Sequence, residues 1–181
     1  MLLNKSVAVA FCGIITALST VLMMCTGILP VATYALPAIA GVLMIIVVVE
    51  LGRQWAFPVF AATSLLSVFL AADKEAVLLF IVFFGYYPIL KSLLEQIHTK
   101  WLSWLLKFVV FNAAMIVGFF AAVYILMIPI EEFTIGTVFI PWILLVLGNG
   151  VFLLYDYAVS GLVVLYFQRF HGLFAKWLHK K

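Results

Sequence analysis

The chain alternates between long apolar runs and short polar breaks. After Lys5 the next charged residue is Glu50. One helix across that gap would be about 65 Å long at 1.5 Å per residue, about twice the hydrocarbon core of a bilayer. The run must fold back, and Gly27, Pro30 and Pro37 supply the break, because Gly and Pro punctuate regular structure. The spacing of the remaining charges and prolines predicts six helical spans, at about residues 6–24, 34–51, 54–72, 76–94, 106–128 and 139–167. The last is longer than a membrane needs, so it is expected to tilt or protrude. The expected fold is all-α, a single domain over residues 1–181 built as a bundle of about six transmembrane helices.

Composition changes this from a pattern into a solvent. Hydrophobic residues make up 68% of the 181 residues, charged residues 9%, and the mean hydropathy is +1.32. Soluble domains carry roughly 45–50% apolar and about 25% charged residues. A water-soluble fold of this size could not hide so much apolar surface. The first span is read as a retained helix, since its apolar stretch exceeds a signal core and Met23-Met24-Cys25-Thr26 is a poor cleavage region.

Charge sets the expected orientation. With six spans and the N-terminus in the cytoplasm, Lys5, Arg53, Lys91, Lys100, Lys107, Arg169, Lys176, Lys180 and Lys181 fall on the inner side. Lys74 alone falls outside, with Asp73, Glu75, Glu131 and Glu132. Basic residues favour the cytoplasmic side of helical membrane proteins. Both termini are therefore expected in the cytoplasm. Two segments read as amphipathic helices on the inner leaflet, held by Trp anchors and anionic lipid. One is 98–107, with Trp101, Trp104, Lys100 and Lys107. The other is the tail 170–181, where Phe170, Leu173, Phe174, Trp177 and Leu178 recur at helical spacing among basic residues.

Candidate chemistry lies in the polar residues inside the spans. Asp156 is the strongest signal: an ionisable side chain deep in a span is costly, so it faces the interior and has a partner or a task. Trp142, Asn149 and Asp156 are seven apart and share one stripe. The stripe reads either as the wall of a small-molecule pocket opening outward, or as structural hydrogen bonding between helices, with Asn149 and Asp156 as the bonding groups. Pro88 is expected to kink the fourth span, and the mid-span hydroxyls of Tyr86 and Tyr87 either reach a ligand or Asp156 or belong to a kink packed against its neighbours. Asn112 is expected to pair with another helix, and Glu50 with Arg53. Gly13 and Ala17, and the line Ala114, Gly118 and Ala122, mark faces where helices can meet closely.

Other classes are not signalled. There is no phosphate-binding glycine loop, HExxH or GxSxG motif, and no basic stripe pointing to nucleic acid. No cofactor or metal site is expected, and no enzyme. Cys12 and Cys25 lie towards opposite ends of one helix and cannot bridge, and the three histidines, His98, His171 and His179, fall in inner-face segments.

Size, six spans, cytoplasmic ends and a first helix of small residues followed by a Pro-rich outer loop resemble the substrate-binding S component of energy-coupling-factor (ECF) uptake transporters. The loop from Thr26 to Pro37, with Tyr34 between two prolines, resembles the loop that closes over substrate in that family. Gly13 and Ala17 give GxxxA where the family docks its transmembrane coupling subunit through AxxxA. The resemblance implies a bacterial plasma-membrane subunit that takes a vitamin-like micronutrient from outside and works with separate coupling and ATPase subunits. The substrate would be contacted by Asp156, Asn149 and Trp142, with Tyr34, Tyr86 and Tyr87. The alternative is a multi-span scaffold of the cell envelope, in which the stripe is packing and the tail is the working surface.

Overall fold

A computed structural model describes residues 5–28, 32–129, 134–135, 138–139 and 141–169. Six helices follow one another: α1 (Lys5–Cys25), α2 (Ala35–Glu50), α3 (Arg53–Leu70), α4 (Lys74–Leu94), α5 (Lys100–Tyr124) and α6 (Pro141–Arg169). Between α5 and α6, Thr134–Ile135 (β1) pairs antiparallel with Val138–Phe139 (β2). Helices α1, α4, α5 and α6 are long and apolar enough to cross a membrane. Helix α2 is as apolar but has 16 residues, and α3 begins with Arg53 and Gln54 and carries three hydroxyl residues. Pro30, the Glu131-Glu132 pair and the tail 170–181 lie outside the described residues.

Side-chain bonds tie the helix ends together. At one end the Asp73 carboxylate accepts from the Ala76 backbone N–H (3.0 Å), capping α4, and from the Thr33 hydroxyl (2.8 Å) of the α1–α2 loop. Asp73→Ala removes both bonds. It is expected to lower stability by about 0.5–2 kcal/mol, the range for loss of an N-cap, read by chemical unfolding in detergent. At the other end Tyr166 of α6 donates to Glu50 (2.6 Å) and Arg53 donates to Gln96 (3.4 Å). Glu50 and Arg53 thus have separate partners. Gly52 makes the tight α2–α3 turn at φ +88°, which favours glycine.

The core has two halves that share α4. On one side Phe11, Ile15, Met23, Met44, Val47, Ala56 and Val59 from α1–α3 pack on Ala76, Val77 and Phe80. On the other, Phe83 and Tyr87 pack with Phe111 and Ala114 of α5 and Phe152 of α6. Gly118 sits on Val82, so the small-residue line of α5 is turned inward, towards α4. Within α4, residues Phe80–Phe84 form a wide turn in which Gly85 N–H donates to Phe80 C=O (2.8 Å). Pro88 has no N–H to offer the Phe84 carbonyl four residues earlier, and the helix is interrupted there. Gly41 of α2 lies against that carbonyl.

The fifth helix starts at Lys100, earlier than the sequence suggests. Residues 100–107, expected to lie on the membrane surface, are its first two turns. Trp101, Trp104 and Leu105 are exposed, whereas Ser103 and Lys107 are buried.

Candidate functional site

Asp156 is buried in α6 with its carboxylate filled from two neighbouring helices. On α4, Tyr87 donates to Oδ1 (2.6 Å), and Lys91 donates to Oδ1 and to the Asp156 backbone carbonyl (3.0 Å). On α5, Lys107 donates to Oδ2 (3.1 Å). Glu95, in the turn after α4, completes the cluster: its Oε1 lies 3.0 Å from both Lys91 Nζ and Lys107 Nζ. Two ammoniums face two carboxylates, so the four charges sum to zero. The Lys107 ammonium also lies 5.0 Å from the centroid of the Trp104 ring.

Helical spacing explains how these groups converge. Tyr87, Lys91 and Glu95 are four apart, which stacks them on one face of α4. Ser103, Lys107, Phe111 and Ala114 are the buried positions of α5, so Lys107 occupies a core position on the inward stripe. The aromatic floor beneath the cluster is Phe83, Phe108, Phe111, Phe152 and Tyr155. The Phe111 and Phe152 rings stack at 4.7 Å, and Phe83 meets both edge-on. Such a floor keeps water from one side of the charges. On the other side Glu95, Lys100, Ser103, Trp104, Lys107 and Asp156 line a recess of about 250 Å³.

Two turns earlier in α6, Asn149 and Asn112 exchange reciprocal bonds (2.9 and 3.0 Å) between α6 and α5. Each amide also donates to the carbonyl four residues back in its own helix, Leu145 and Phe108. This is the helix pairing expected of Asn112.

The structure brings together only part of the expected set. Asp156, Asn149 and Tyr87 face the interior. Trp142 is 66% exposed, with Ile143, Leu144, Val146 and Leu147 around it also exposed, so the first turns of α6 stand clear of the bundle. Tyr34 is equally exposed, and Tyr86 packs edge-on against Phe60 of α3. Gly13 lies on an exposed face of α1 where an added Cβ would meet nothing within 4 Å, and Ala17 is exposed on the same helix. Lys91, Lys107 and Glu95 are the residues that sequence reasoning passed over. Among the described residues no three His, Cys, Asp or Glu side chains converge as a metal site. Comparison with protein-family models, curated proteins and solved structures gives no match, so the site's geometry carries the functional reading.

Proposed function

We propose that this chain is a multi-pass protein of the bacterial plasma membrane, with six helices inserted and both termini in the cytoplasm. Its bundle binds a small solute for uptake, as the substrate-binding subunit of an assembly with separate coupling and ATPase subunits. Insertion is supported by the exposed faces: Phe69, Val146, Leu154 and Val117 would each present a large apolar side chain to water. Contiguous apolar surface of that kind marks a membrane or protein interface. The short α2 is packed between α1, α3 and α4, which reduces its need to reach both headgroup layers.

One observation carries the solute-binding reading: the buried cluster of Asp156, Lys91, Lys107 and Glu95 beside a recess. Apolar side chains would join the same three helices at no desolvation cost. Ionisable groups held inside a membrane bundle mark a pathway or a binding site by default. The exposed face of α1 at Gly13 and Ala17 is free to take the coupling subunit. A second reading, the envelope scaffold, is favoured by the filling of every Asp156 oxygen and by the exposure of Trp142 and Tyr34.

Affinity purification in mild detergent from native membranes, with mass spectrometry of bound proteins and small molecules, separates the two. Recovery of a membrane coupling subunit with two ATPases and a solute is the expected result. Envelope proteins with no ATPase and no solute would establish the scaffold instead.

A further inference from the structure

We propose that the recess beside the cluster seats the carboxylate or phosphate of a small soluble anion, and that Glu95 is the chain's own stand-in for that group. This rests on the solute-binding reading above and narrows it to anionic solutes.

The two carboxylates of the cluster are held differently. Asp156 has a side chain 4% exposed, within a helix, and is fixed by Tyr87 and by both lysines. Glu95 has a side chain 49% exposed and stands in the turn between α4 and α5. Only its Oε1 is engaged, accepting from Lys107 and paired with the Lys91 ammonium at 3.0 Å, and Oε2 makes no hydrogen bond among the described residues. The inner carboxylate is locked and the outer one can swing away. When it does, two ammoniums face one carboxylate, and the site carries one uncompensated positive charge in a poorly hydrated place. A buried unpaired charge is costly, so an anion of the right size is drawn in.

The recess suits the rest of such a solute. Ser103 lines the recess beside Lys107, the Trp104 indole offers a flat apolar surface, and Lys100 has no ion-pair partner among the described residues. Its volume, about 250 Å³, is room for a carboxylate or phosphate group with a small apolar body against Trp104. A cation fits poorly. Both carboxylates already hold lysines within 3.1 Å, and a further positive charge in the recess would sit beside Lys107 and Lys100. The recess lies at the end of the bundle that charge places in the cytoplasm. Return of Glu95 to the lysines would therefore compete with the solute on the release side.

The test uses the full chain in detergent, with benzoate as probe and isothermal titration as readout. Glu95→Gln removes the competing charge and keeps the shape. It is expected to bind benzoate at least tenfold more tightly than the unaltered chain, and Lys107→Met added to it is expected to abolish that gain. Benzylamine and benzyl alcohol are expected not to bind. If Glu95→Gln cannot be purified folded, Glu95→Asp shortens the arm and is expected to move affinity in the same direction. Equal benzoate affinity with and without the substitution overturns the proposal. So does preference for benzylamine, or retention of phosphatidylglycerol with no benzoate binding. Should benzoate fail while native purification yields the coupling subunit and a neutral or cationic solute, this inference falls and the solute-binding reading stands.

Discussion

Asp156→Ala is expected to destabilise the bundle by about 3–5 kcal/mol, the range found when one partner of a buried ion pair is deleted. The substitution removes the acceptor shared by Lys91, Lys107 and Tyr87. It leaves two buried ammoniums with the single outer carboxylate of Glu95, and an orphaned phenol against Phe83 and Phe152. The cost arises from stranding those groups, not from the net worth of the pair. Lys91→Met combined with Asp156→Leu should therefore recover the part of the loss that comes from the stranded ammonium, because Lys107 and Glu95 still balance each other, while the Tyr87 hydroxyl stays unpaired. Equilibrium unfolding in mixed detergent micelles measures both. A single-variant loss under about 1 kcal/mol would place the cluster among solvated surface pairs and remove the argument that it is buried.

Gly41→Ala is the second large effect. The new Cβ would lie 2.2 Å from the Phe84 carbonyl oxygen, and the obstacle is backbone in a turn fixed by its neighbours. Either α2 must move away from α4 or the wide turn must rearrange. Overpacking of this kind costs about 1–3 kcal/mol, and since α2 holds α1 and α3 against α4, the thermal unfolding midpoint should fall with it. Gly13→Ala is the matched control. Nothing lies within 4 Å of its added methyl, and Ala is favoured over Gly in a helix by about 1 kcal/mol, so the isolated bundle should be unchanged or steadier. Equal losses at the two sites would mean that α2 does not approach α4 at Phe84.

The helices were legible in the sequence because apolar run length and the breaks at Gly, Pro and charge follow directly from the chain. Asp156 was legible for a related reason: a lone carboxylate in an apolar run stands out. Its partners were not. Lys91 and Lys107 lie near predicted span ends, where a lysine ordinarily reaches the headgroups, and their sign suited the inner side. Burial depends on what stands opposite, which one helix cannot report. The available signal was spacing, since Lys91 is four residues from both Tyr87 and Glu95, and Lys107 lies in phase with Ser103, Phe111 and Ala114. Trp142 shows the reverse difficulty. It shares its stripe with Asn149 and Asp156, yet the far end of α6 leans clear of its neighbours. A stripe gives direction around a helix and says nothing of how far along it a neighbour extends.

The wide turn at Phe80–Phe84 acts as a phase shifter. A turn closed from i to i+5 carries one residue more than an α-turn, and one residue is about 100° of rotation about the axis. The segment beyond it is thereby screwed round, so that Tyr87, Lys91 and Glu95 come to face α5 and α6. With an unbroken α-helix the same three side chains would point elsewhere, and Lys91 would need another counter-charge.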